Sequence, residues 1–278
     1  MNEIANKLFF NNKNLIEPMH KNFFSLAILK SILLLMTVVL LAACVSNNNT
    51  TAAKGKMIED GALPSRLIIG SACQKSLDTA RQWIESQSLE TAESVLVAAF
   101  NSQCDSGYEK SQLQRLMAYV MSAQKKYSAA IDAYQYVVDS QYLDLLTRSE
   151  AVYTLAQIRF LTDDYKKVID GITKGMADEM LLNTEAELLL ARSYYRLSRY
   201  DDGLAIMEKV VAQQEQRGGK VKESWLGLLW SLYYENQDYQ QAMSVSGKLM
   251  AHYPKDLYRQ KRSHICDVAN MPQLCELK

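Results

Sequence analysis

Five cysteines and three histidines carry most of the reactive chemistry available to this 278-residue chain. Beyond Cys44, the cysteines Cys73, Cys104, Cys266 and Cys275 form an even set, as disulfides require, and four thiols allow three pairings. A second reading joins His252, His264, Cys266 and Cys275 as zinc ligands, although their spacing matches no common site. A third leaves the thiols free or redox-active, but no Cys-x-x-Cys pair is present. His20 lies near the N-terminus, and no serine, cysteine or carboxylate constellation can be placed beside His252 or His264. No glycine-rich phosphate loop and no two-histidine metal helix occurs. The residues therefore imply neither an enzyme nor a cofactor. The acidic pairs Asp163-Asp164 and Asp201-Asp202 read as solvated caps of helical turns.

Cys44 stands apart because of what precedes it. Ile32 to Ala43 is an apolar run of about 12 residues, flanked by Lys21 and Lys30. The run is too short to span a bilayer comfortably and suits a signal-peptide core. It ends in Leu41-Ala42-Ala43-Cys44, which resembles the bacterial lipoprotein cleavage box. The resemblance implies cleavage after residue 43 and a diacylglyceryl group on the Cys44 sulfur. Each buried methylene of such a chain is worth about 0.8 kcal/mol, so multiple acyl chains hold a protein firmly at a membrane. Val45 follows the cysteine in place of the aspartate that marks inner-membrane retention, so the resemblance implies the periplasmic face of the outer membrane. Residues 1–18 include Glu3 and Glu17 and look unlike a signal-peptide start, which places the expected start of translation at Met19. Residues 44–68 then form a lipid anchor and polar tether containing Ser46-Asn47-Asn48-Asn49-Thr50-Thr51, too polar to bury a core of its own.

Charge narrows the partners. The chain has 31 basic and 31 acidic side chains, and residues 1–43 hold four of the former and two of the latter. The remainder carries 27 against 29, near −2, which gives no basic footprint for nucleic acid.

The elements that must position any binding site are helices. Apolar residues make up 48% of the chain, while glycine (11) and proline (4) are scarce, against a turn-rich β fold. Tyr127, Tyr165, Tyr200 and Tyr239 sit in similar phrases, each followed three residues later by Ala130, Val168, Gly203 or Ala242. Twelve residues before those come Ala118, Ala156, Ala191 and Trp230; four after them come Tyr134, Ile172, Met207 and, breaking the pattern, Ser246. A degenerate earlier copy runs through Ala80, Trp83, Leu89, Ala92, Leu96 and Ala99. Units start near residues 73, 111, 149, 184 and 223, spaced 38, 38, 35 and 39. These phrases resemble the tetratricopeptide repeat over about two-thirds of the chain, most closely in the last unit, with Leu226, Leu229, Tyr233, Tyr239, Ala242, Leu249 and Pro254. The expected fold is all-α, a tetratricopeptide-like solenoid of five hairpins over residues 69–256. Close helix packing needs small pairs such as Ala118 with Ala130 and Ala191 with Gly203, and Pro254 ends the last helix. An antiparallel first hairpin brings Cys73 and Cys104 together, which selects the pairings Cys73–Cys104 and Cys266–Cys275, the second closing a tail over residues 257–278.

In tetratricopeptide proteins the first helix of each unit lines the inner curve. That resemblance places Arg81, Arg115, Tyr119, Tyr153, Gln157, Phe160, Arg192, Tyr195, Arg196 and Tyr234 there. Tyrosine and arginine combine large apolar area with a polar handle and recur as interface anchors. The set is read as a groove for an extended peptide of acidic or aromatic character. The alternative for each tyrosine is packing between helices. The asparagine and lysine clamp of tetratricopeptide co-chaperones is missing, its positions being held by Arg81, Tyr119, Gln157, Arg192 and Ser231. The stretch from Trp225 through Tyr233-Tyr234-Glu235 and Asp238-Tyr239 to Tyr253-Pro254-Lys255 resembles the periplasmic repeat proteins that accompany TonB–ExbB–ExbD systems. It implies a protein-binding accessory of TonB-type uptake. An envelope-biogenesis adaptor, serving outer-membrane protein assembly, pilus secretion or cell-wall hydrolase placement, is the other role consistent with such a scaffold.

Overall fold

The computed structural model describes residues 67–269. Among them are eleven α-helices and no strands: α1 (Ser71–Glu85), α2 (Leu89–Ser102), α3 (Gly107–Ala123), α4 (Tyr127–Asp139), α5 (Leu145–Leu161), α6 (Tyr165–Ala177), α7 (Thr184–Arg196), α8 (Tyr200–Gln216), α9 (Glu223–Glu235), α10 (Tyr239–His252) and α11 (Asp256–Ala269). Each helix packs mainly on its neighbours in sequence, and first helices of successive hairpins also touch (α1 with α3, α5 with α7, α7 with α9). This is a solenoid, in which each unit completes its core against the next.

The five hairpins share one turn. Gln87, Lys125, Asp163, Ser198 and Gln237 take φ values of 60°, 61°, 60°, 57° and 62°, each two residues before the second helix begins. In every case the residue's N–H, and that of the following residue, bond back to the end of the first helix, as in Gln87 N–H to Ile84 O and Ser88 N–H to Trp83 O. This paired arrangement satisfies the orphan carbonyls at a helix end and forces a left-handed residue there. The next residue opens the second helix, where the Asp164 and Asp238 carboxylates accept from the N–H groups of Lys167 and Gln241. Asp202 instead pairs with Arg199 at 2.8 Å, and Asp201 accepts from Asn236 at 2.8 Å.

Small residues set the packing distance. Ala118 and Ala130 are fully buried. A Cβ on Gly203 would lie 2.7 Å from Leu232 Cδ2 and 3.4 Å from the Ala191 carbonyl oxygen. In the fifth hairpin the small residue is replaced by buried Trp230, and Ser246 makes room opposite it, accepting a 2.8 Å hydrogen bond from the indole Nε1. The interruption at Ser246 is thus the complement of the tryptophan.

The same register position ties four of the hairpins shut. Cys73 forms a disulfide with Cys104, with Cα atoms 5.0 Å apart. Ser111 shares a 2.7 Å hydrogen bond with Ser140. Ser149 Oγ accepts from the Leu181 N–H at 2.9 Å. Glu223 pairs with Lys255 at 2.6 Å and accepts from the Tyr258 hydroxyl.

One expected boundary moves. Residues 257–278 do not begin as a tail, because α11 continues the stack on α10 and inserts Tyr258 and Ile265 into the last core cluster. Pro254 breaks the chain, but Tyr258 and Ile265 are seven residues apart on one helical face and buried apolar area restarts the helix. Cys266 takes part in a disulfide. Cys275, like Cys44, lies outside the described residues, as do the expected signal sequence and most of the expected tether.

Candidate functional site: the inner face of the first helices

Spacings of three and four residues put Arg115 and Tyr119 on one face of α3, Tyr153, Gln157 and Phe160 on one face of α5, and Arg192, Tyr195 and Arg196 on one face of α7. The structure divides this set. Tyr119, Gln157 and Phe160 are buried at 6%, 8% and 8% exposure, so they pack within the solenoid and do not line a groove. The cause is the direct contact of successive first helices, which closes the space between units. Phe160 meets the Tyr165 ring edge-on, at 5.1 Å between centroids. Arg115, Tyr153, Arg192, Tyr195 and Tyr234 are half-buried, while Arg81 and Arg196 are exposed.

What remains at the surface is a connected stripe. Burial pushes the Tyr153 hydroxyl up to about 12, with Glu185 adding to the effect and Arg192 and a hydrogen bond to Gln157 opposing it. Burial also lowers the Arg192 pKa, countered by Glu185 and Tyr153. A guanidinium so placed stays charged at any biological pH. Farther along, the Arg196 guanidinium lies 5.6 Å from the Tyr165 ring centroid. Burial raises the Tyr195 pKa, and so does its hydrogen bond to Glu235; its ring is 5.9 Å from that of Tyr200. Arg115 acts electrostatically on Asp144 and Tyr134.

The stripe ends in an aromatic cluster. Tyr234 stacks on Trp230 at 5.0 Å and meets Tyr239 edge-on at 5.8 Å. Its hydroxyl is 2.9 Å from His264 Nε2, and Lys261 Nζ sits 3.5 Å from the Trp230 ring centroid, both groups coming from α11. Sequence reasoning missed Glu185, Glu235, Lys261 and His264 as parts of this face. The two glutamates were legible as neighbours of expected stripe residues in the register. The α11 pair was not, since no helix was expected there. Among the described residues, no three histidine, cysteine or acidic side chains stand close enough together to hold a metal ion.

No protein-family model matches the chain and no curated protein matches it. Solved structures do. A tetratricopeptide repeat protein from Parabacteroides merdae superposes with a TM-score of 0.57 at 14% identity, covering 72% of this chain and 75% of that one. MamA from Desulfovibrio magneticus superposes with a TM-score of 0.52 at 16% identity, covering 66% of this chain and 96% of that one. The fold is a tetratricopeptide-like α-solenoid.

Proposed function

We propose that the protein is a non-catalytic, protein-binding scaffold, held by acyl chains on Cys44 at the periplasmic face of the outer membrane, where it serves as an accessory of TonB-type transport. The observation that carries the binding role is the stripe of Tyr153, Arg192, Tyr195, Arg196 and Tyr234, presented side by side by three first helices. Tyr153, Arg192, Tyr195 and Tyr234 are half-buried and held by their own neighbours, so they lose little side-chain entropy when a partner docks on them. The cleavage box before Cys44 supports the anchor, and the Trp225–Lys255 stretch supports the link to TonB–ExbB–ExbD components. Cys266–Cys275 pairing belongs to the same reading, since oxidised cysteines suit an exported protein. The test is capture from envelope extracts by the wild type and by a Tyr153→Ala, Arg192→Ala, Tyr195→Ala variant. Loss of a TonB, ExbB or ExbD component from the captured set supports the reading, and an identical captured set contradicts it.

A further inference from the structure

The two long edges of the solenoid differ in exposed apolar area. The turns inside hairpins show Trp83, Leu161 and Leu197 at 40–41% exposure. The opposite edge, where one hairpin passes to the next, holds the three most exposed large apolar side chains of the described residues: Leu181 (61%), Ile68 (57%) and Leu146 (55%), with Leu145 beside them. They belong to neighbouring segments of that edge. Ser149 Oγ accepts from the Leu181 N–H and donates to the Leu145 carbonyl, so the α6–α7 loop sits against the first turn of α5. Leu67 in turn shares a cleft of about 450 Å³ with Tyr108, Tyr142, Leu143 and Asp144. Glu109 fixes this arrangement by accepting from the N–H groups of Gly70 and Ser106 at 2.8 and 2.9 Å.

This is also the edge at which the chain arrives from its N-terminal segment. Only the 22 residues from Val45 to Arg66 separate Cys44 from Leu67. Even fully extended, that length reaches at most about 80 Å. A short tether of this kind gives the edge an effective concentration near a membrane of order millimolar, at which a weak contact becomes populated. We propose that the edge bearing Ile68, Leu145, Leu146 and Leu181 rests on the lipid surface to which Cys44 is anchored, leaving the first-helix stripe turned toward partners. The inference rests on the lipid-anchor reading above. Binding is apolar: Asp144, Asp178 and Glu179 flank the leucines, so anionic headgroups do not drive it. No helix of the described residues is long and apolar enough to cross a membrane.

The test reconstitutes the mature, acylated protein into phosphatidylcholine vesicles carrying a photoactivatable acyl chain, with labelled peptides mapped by mass spectrometry. Label on peptides spanning residues 142–146 and 180–182 is expected. It should be lost in an acylated Leu145→Ser, Leu146→Ser, Leu181→Ser variant that keeps wild-type helicity. Acylated protein labelled only near Cys44, or equally at residues 161–165 and 197–200, overturns the edge inference and leaves the anchor standing. A Cys44 peptide without lipid mass overturns both.

Discussion

Lys261 is the residue whose environment most contradicts its chemistry. It is 9% exposed, lies over Trp230 and comes from a helix otherwise rich in polar side chains. Burial pushes its pKa down to about 7. Because the folded state holds this ammonium less tightly than the unfolded chain, the unfolded state binds more protons between about pH 7 and the ordinary lysine value. Stability therefore rises with pH across that window, and the full penalty is present below it. The cation–π contact with Trp230 returns part of that penalty. A Lys261→Met variant keeps the stem and removes the charge, so it should gain on the order of 2 kcal/mol at pH 6.5. Urea denaturation at pH 6.5 and 8.5, below the onset of tyrosine ionisation, checks this: the wild type gains more stability between them than the variant does. None of this was legible in the sequence, because a lysine among Arg259, Gln260 and Arg262 reads as a solvated face. The tyrosines were legible as a set but not one by one. Tyr119 and Tyr153 occupy nearby steps of the same register, yet only Tyr119 is closed off, because contact between whole helices decides exposure.

At the scale of elements, each unit is a hairpin with a shared turn, and four of the five also carry a tie at the open end. The turns were readable from Tyr127, Tyr165, Tyr200 and Tyr239, which all stand at the start of a second helix. The left-handed residue before them was not, since glutamine, lysine, aspartate and serine occupy it where glycine usually signals such a turn. The tie in the first unit is covalent where the others use hydrogen bonds or an ion pair. Closing a loop of sequence separation 31 restricts the unfolded chain by about 3–4 kcal/mol. In a solenoid that loss is felt locally. A Cys73→Ser, Cys104→Ser variant should thus lose amide protection in α1 and α2 while α5 to α10 keep theirs. Hydrogen exchange with peptide resolution reads this directly, and uniform loss along the stack would contradict a nearest-neighbour account. The helix after Pro254 escaped notice because its apolar positions are few: Tyr258, Ile265 and Cys266 carry the whole buried face apart from Lys261.

For the whole molecule, the solenoid separates three surfaces. One long edge carries exposed leucines and receives the chain from Cys44. The other carries the five hairpin turns. Between them the first helices present tyrosine and arginine on a stripe that is shallow, because successive first helices touch. This shape suits a partner segment lying along the stripe. Photo-crosslinking in cells tests that claim most directly, with the crosslinker placed at Arg196 on the stripe or at exposed Lys174 on α6. With a partner lying along the stripe, position 196 captures a discrete protein that position 174 does not. Capture of the same proteins from both positions, or of none from position 196 while 174 yields a defined product, would contradict it.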